Sequence, residues 1–195
     1  MKINKKIISG IIALILFFTG SFVIDQQQET PSTVAENQTA IELVRTIDGD
    51  TIVFAEDGEE KKLRLLLIDT PESSTTKTGS AQPYGKEAKD FLTNYLEGKK
   101  LSIEYDPSHE KLDAYDRVLA YLYADGELIQ EVMVEKGLAR VGYENGDELY
   151  LNELEEAEQE AEVANVNIWS VDGYVGEYGF NKLKWCWYPY ILVYL

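Results

Sequence analysis

One cysteine, one histidine and a shortage of positive charge set the first limits on this chain of 195 residues. A single cysteine, Cys186, excludes an internal disulfide and any Cys-based zinc cluster. A single histidine, His109, excludes a multi-His metal site and leaves no Ser-His-Asp arrangement to argue for. It lies in the polar loop Asp106–Asp113 and reads as a surface residue. Lysine and arginine number 18 against 35 aspartates and glutamates, a net charge of −17. Bulk positive charge therefore cannot hold nucleic acid passively. An enzyme with a local cationic site, or one that employs a divalent cation, stays open. No internal repeat is visible. Apolar residues make up 45% of the chain, enough for a packed core, which argues against a wholly disordered chain. The length favours one domain with appendages.

The amino terminus carries one long hydrophobic run. Lys2, Lys5 and Lys6 precede Ile7 to Ile24, which is apolar apart from Gly, Ser and Thr. Residues 1–24 read as a secretory signal or an uncleaved membrane anchor. The run is about 18 residues, the lower limit for a spanning helix. No cysteine stands directly after it, which excludes a lipoprotein anchor, and no clean A-x-A site is present. Cleavage and retention both stay open, so the expected location is secreted or on the extracytoplasmic face of the membrane. Residues 25–40 are polar and aperiodic, a linker. A globular pattern covers 41–170, and 171–195 form a tail. Its end, Trp185 to Leu195, is apolar but too short to span a bilayer.

Within the globular part, Ile41–Ile47, Thr51–Ala55 and Lys62–Ile68 read as strands, separated by the turn dipeptides Asp48-Gly49 and Asp57-Gly58. A helix follows from Tyr84 to Glu97, with Ala88, Phe91, Leu92 and Tyr95 on one face and Gly98 as its stop. Leu101–Tyr105 and Val118–Tyr123 alternate like strands. A short helix ends at Lys136-Gly137, and Leu138–Val141 reads as a brief strand. The last helix, Glu148–Ala164, sets Leu151, Leu154, Ala157, Ala161 and Ala164 in one apolar stripe. Between Glu144 and Glu162 stand nine acidic residues and no basic one, which reads as a solvated helix face. Five strands with inserted helices predict an α+β, mainly β fold: a small closed or partly open barrel with helices packed at its ends.

Polar groups concentrate at three strand boundaries: Asp48-Gly-Asp-Thr51, Arg64-Leu-Leu-Leu-Ile-Asp-Thr-Pro-Glu72 and Asp113-Ala-Tyr-Asp-Arg117. Arg64, on a strand among apolar residues, needs an anionic partner to offset its desolvation. Asp69 sits where that strand ends, and Pro71 turns the chain out of it. Asp69, Glu72 and the oxygens of Thr70 form a hard-oxygen set, to which Asp50 adds a third carboxylate. Such ligands suit Ca2+ or Mg2+ and not Zn2+. Arg64 and Arg117 can each give paired hydrogen bonds to phosphoryl oxygens. Each piece alone is compatible with an ordinary turn, strand exit or surface arginine. Together the parts suffice for phosphodiester hydrolysis.

Ile47-Asp-Gly-Asp-Thr51, Leu63-Arg-Leu-Leu-Leu-Ile-Asp-Thr-Pro-Glu72, Tyr84-Gly85, Tyr115-Asp-Arg117, Leu119-Ala-Tyr-Leu-Tyr-Ala-Asp-Gly126, Gly137-Leu-Ala139 and Asn167-Ile-Trp-Ser170 resemble the staphylococcal nuclease (thermonuclease) family. The resemblance runs from about Ile41 to Ser170. It implies a five-stranded OB-fold barrel with three helices, and a Ca2+-dependent nuclease that cuts DNA and RNA to leave 3′-phosphate ends. By position it implies Asp50 and Asp69 as calcium carboxylates and Thr70 as a carbonyl ligand. Glu72 matches the general base or water organiser, and Arg64 and Arg117 the arginines on the scissile phosphate. Tyr115 matches a tyrosine on a terminal phosphate, Tyr143 one near the base and sugar, and Lys77 the remnant of a basic loop. Departures accompany these matches. The family's Tyr-Gly-Arg is Tyr115-Asp116-Arg117 here, a frequent lysine is Ala114, a second tyrosine is Asn145, and the basic loop is Ser73-Ser-Thr-Thr-Lys-Thr78. These losses predict weaker substrate binding with the catalytic set intact.

The leading expectation is thus an exported, monomeric, Ca2+-dependent phosphodiesterase acting on RNA and on single-stranded or frayed DNA. A barrel that holds oligonucleotide without cutting it, and a wall- or membrane-associated protein binding calcium on its acidic helix, are the alternatives. Retention of every catalytic carboxylate and arginine disfavours the first. The second predicts Ca2+ binding that survives loss of Asp50 and Asp69.

Overall fold

A computed structural model describes residues 35–75 and 79–183. The segment 1–24, most of the linker, Lys77 and the apolar stretch 185–195 lie outside the described residues.

Three antiparallel strands come first: β1 (Gln38–Asp48), β2 (Thr51–Glu56) and β3 (Glu59–Leu65). Asp57 and Gly58 join β2 to β3 with φ of 52° and 84°, the left-handed pair that a two-residue hairpin needs. β1 begins three residues before the expected start. Gln38 to Ile41 pair with β5 (Leu101–Glu104), so the end of the expected linker 25–40 belongs to the sheet. Two register shifts in β1, at Leu43/Arg45 and Thr46/Asp48, bend it so that one strand serves both β2 and β5. β5 turns back into β6 (Val118–Ala124), and β6 lies parallel to β3, Leu63 beside Val118 and Leu65 beside Ala120. The order β3–β2–β1–β5–β6 with that last pairing closes a five-stranded barrel, the OB-fold architecture expected. Ile52, Phe54, Leu63, Leu65, Ile103, Ala120 and Leu122 fill the core.

The third strand is shorter than its apolar run suggests. β3 stops at Leu65, and Leu66 and Leu67 form a turn with Leu67 at φ 62°. A separate β4 (Ile68–Asp69) then pairs with β8 (Arg140–Val141). β3 is committed to β2 and β6, so a chain that must also reach β8 has to change direction. The burial of Leu66 and Leu67 holds the turn in place.

Three helices cover the barrel. α1 (Gly85–Leu96) buries Ala88, Leu92 and Leu96. Phe91 and Tyr95 stack beside that face, with centroids 5.4 Å apart. After β7 (Glu127–Leu128), α2 (Ile129–Glu135) buries Ile129, Met133 and Val134. α3 (Leu151–Val163) buries the expected stripe of Leu151, Leu154, Ala157 and Ala161, but begins after Glu148, which belongs to the preceding loop. Beyond a 3-10 turn at Asn167–Ser170, the first part of the expected tail folds into a small hairpin, β9 (Val175–Gly176) with β10 (Gly179–Phe180). No helix among the described residues is long and apolar enough to cross a membrane.

Candidate active site

The Asp48-Gly49 reversal brings three segments together. Asp48 Oδ1 accepts hydrogen bonds from Gly49 N at 3.0 Å and from Ser73 N at 3.2 Å, tying the turn to the loop that leaves β4. A Cβ on Gly49 would stand 2.8 Å from both Thr70 Oγ1 and the Ala88 side chain, so this close approach requires glycine. Asp50 is buried at the head of β2. Its Oδ1 accepts from Thr51 Oγ1 at 2.8 Å, and its Oδ2 from Thr70 N at 3.3 Å.

Arg64 has the anionic partners its position demands. Its Nη2 lies 3.2 Å from Asp50 Oδ2 and 3.9 Å from Asp69 Oδ1, while Nη1 donates to Leu65 O at 2.7 Å. Asp69 also meets Arg140, whose Nε lies 3.2 Å from Oδ2 across the β4–β8 pair. Burial pushes the Asp69 carboxyl above its ordinary range, although Arg64 and Arg140 both pull it down. Tyr143 completes this side: its hydroxyl donates to Asp69 Oδ1 at 3.5 Å, and the Arg64 guanidinium sits 5.5 Å from its ring centroid.

Glu72 stands on the exit loop, two residues beyond Thr70. Its N donates to Gln82 Oε1 at 2.7 Å, and Gln82 N donates back to Glu72 O at 2.9 Å. A Cβ on Gly85 would lie 2.4 Å from Glu72 O, which accounts for the glycine of Tyr84-Gly85 at the start of α1. Arg117 immediately precedes β6, whose parallel register with β3 begins at the next residue, Val118 beside Leu63. Asp113 holds it: Oδ2 meets Arg117 Nε at 2.6 Å, and Oδ1 accepts from the N–H of Tyr115 and of Arg117. Tyr115 is 80% exposed, its ring beside the Arg117 guanidinium at 5.7 Å.

The structure thus brings together Asp50, Arg64, Asp69, Thr70 and Tyr143, with Arg117 and Tyr115 as a second pair held by Asp113. Lys77 lies outside the described residues. Among the described residues no three His, Cys, Asp or Glu side chains converge as metal ligands, so the three-carboxylate set expected with Glu72 is not assembled. The oxygen set is two carboxylates with Thr70 beside them, and Thr70 Oγ1 is buried without a hydrogen-bond partner among the described residues. Two carboxylates and an unsatisfied oxygen fit a hard cation that completes its shell with water, Ca2+ or Mg2+.

Two participants escaped the sequence reading. Arg140 was legible by the signal that singled out Arg64, an arginine between apolar neighbours on a strand. Asp113 carries only the signal of standing four residues before an arginine. His109 needs correction. It is not a solvent-facing residue: its Nε2 lies 2.9 Å from Oε1 of the buried Glu148, which also accepts Asn145 N and Gly146 N. That contact pins the loop on which Tyr143 stands.

Residues 62–171 match the family model described as Staphylococcal nuclease homologue. The thermonuclease of Staphylococcus hyicus is 35% identical over 85% of this chain and 99% of its own length. Endonuclease YncB of Bacillus subtilis strain 168 is 39% identical over 80% of this chain and 74% of its own. The SPbeta prophage-derived endonuclease YokF of the same organism is 41% identical over 72% of this chain, which spans about half that protein's length (47%). With its barrel, its site and these matches, the chain belongs to the staphylococcal nuclease family of nucleases.

Proposed function

We propose that this protein is an exported, Ca2+-dependent nuclease that hydrolyses phosphodiester bonds of RNA and of single-stranded or frayed DNA, leaving 3′-phosphate ends. The observation that carries this reading is Arg64 held between Asp50 and Asp69, with Thr70 N on the same Asp50 oxygen. Asp50, Asp69 and Thr70 would hold the cation, which when bound supplies positive charge to a phosphoryl oxygen. Arg64 and Arg117 donate to the remaining oxygens and stabilise the charge that builds there. Glu72 takes a proton from, or aligns, the attacking water. A new bond joins that water oxygen to phosphorus, the bond to the 5′ oxygen breaks, that oxygen takes a proton from solvent to leave as a hydroxyl, and the phosphate stays on the 3′ side. Tyr115, Tyr143 and Lys77 contact the substrate. Residues 7–24 carry the domain, 41–170, out of the cytoplasm or anchor it to the outer face of the membrane.

Cleavage of denatured DNA, measured in Ca2+ and then in chelator, tests the reading. Activity that needs Ca2+ is the expected result, and a folded protein inactive in Ca2+ overturns it. Glu72→Gln should lower turnover about 100-fold or more while Ca2+ binding persists. Full activity in that variant would remove Glu72 from its role.

A further inference from the structure

The hairpin of β9 and β10 lies against the Asp69–Arg140 pair. Arg140 Nη1 donates to Glu177 O at 3.3 Å, and a Cβ built on Gly179 would lie 3.6 Å from Asp69 Oδ2. One neighbour of Tyr178 thus bonds Arg140 and the other passes close to Asp69, and its own Cα is one peptide, about 3.8 Å, from each of theirs. The base of the hairpin is anchored. Tyr174 is buried and donates its hydroxyl to Pro83 O at 2.7 Å, and its ring packs on Phe180. Asn181 N donates to Tyr174 O at 2.8 Å, and Asn181 Nδ2 to Gly173 O at 3.0 Å. At the tip, by contrast, Tyr178 is 89% exposed.

A fixed turn thus holds a large aromatic ring in water at the rim of a phosphodiester site, and packing within the fold does not account for it. A ring open on its faces offers what a nucleobase stacks on, and such stacking tolerates any base. The base must be free of its complement, which matches a single-stranded substrate. Tyr143 contacts Asp69 itself and is also exposed, so a second aromatic ring is already available on this side of the site.

We propose that Tyr178 is a nucleobase-stacking residue, and that the hairpin tip forms a subsite for the nucleotide adjoining the scissile phosphate on the Asp69–Arg140 side. This rests on the nuclease reading above.

The test is binding of a fluorescein-labelled, phosphorothioate-linked octathymidylate to the full chain in Ca2+, followed by anisotropy, with cleavage of unmodified single-stranded DNA measured in parallel. Tyr178→Ala should weaken binding about tenfold at an unchanged melting temperature, and Tyr178→Trp should restore it. Wild-type affinity in Tyr178→Ala overturns the subsite, as does failure of Tyr178→Trp to restore binding. Wild-type protein that binds the probe but cuts no DNA defeats the nuclease reading and leaves the subsite standing. Wild-type protein that does not bind the probe defeats both.

Discussion

Asp116 occupies the left-handed region, φ 58°, at the place where the family's Tyr-Gly-Arg has glycine. The turn is set by Asp113, whose side chain receives Tyr115 N and Arg117 N while its own N donates to Arg117 O. Any residue between Tyr115 and Arg117 has to take that conformation, which costs an L-residue about 1 kcal/mol. Asp116 also sets a carboxylate beside an arginine assigned to the phosphate. Asp116→Gly should therefore raise the melting temperature by a few degrees and lower KM for denatured DNA several-fold. Thermal melts and steady-state kinetics check the two halves separately; a lower melting temperature would contradict the backbone argument. At this scale much of the site is legible in the sequence. Arg64 stands out because an isolated charge in an apolar strand needs a partner, and Asp50 and Asp69 because they stand at strand ends. Arg140 offers the same signal on a strand of only two residues, but its partner 71 positions away leaves no local trace of the pairing.

The loop between β8 and α3 carries Tyr143 and is held by carboxylates that accept hydrogen bonds. Burial alone would raise the Glu148 carboxyl, but the N–H groups of Asn145 and Gly146 and the His109 ring outweigh it and hold it below the ordinary range. Asp106 behaves alike: burial raises it, and Ser108, Tyr121 and Leu149 N bring it down. A carboxylate depressed in the folded state stabilises above its unfolded pKa, and that stability is lost as pH falls through the folded value. The loss therefore develops below about pH 4.5, the ordinary value for a glutamate. Glu148→Gln should melt lower than wild type at pH 7, with the gap narrowing by pH 3.5; an equal gap at both would show that charge plays no part. The α3 stripe was readable because burial on one side of a helix repeats every three to four residues. The break at Leu66-Leu67 was not, because an apolar run buried on both faces looks the same straight or bent. The hairpin of β9 and β10 was not, because two-residue strands leave no alternation to read.

Over the whole molecule, a charge of −17 meets a polyanionic substrate. Few cations remain to hold it, Arg64 and Arg117 foremost. Two or three phosphate contacts on a single strand, at about 0.7 of a logarithmic unit each, predict that KM rises only about tenfold between 50 and 200 mM salt. Steady-state kinetics at the two concentrations check this, and a rise of 1,000-fold would demand a far larger cationic surface. The closed barrel was legible from strand count and turn chemistry, whereas the parallel contact of β3 with β6 was not, since it joins segments about 55 residues apart. The pairing of β4 with β8 has a consequence in time. A nascent chain that has just emerged past Ala124 owns every barrel strand, yet Asp69 has neither Arg140 nor the hairpin against it. Segments so far apart in sequence meet late, because a long loop must close first. A translating ribosome is rich in nucleic acid, the class of polymer a nuclease acts on, and Asp69 does not gain Arg140 and the hairpin until the chain has left the exit tunnel past Phe180.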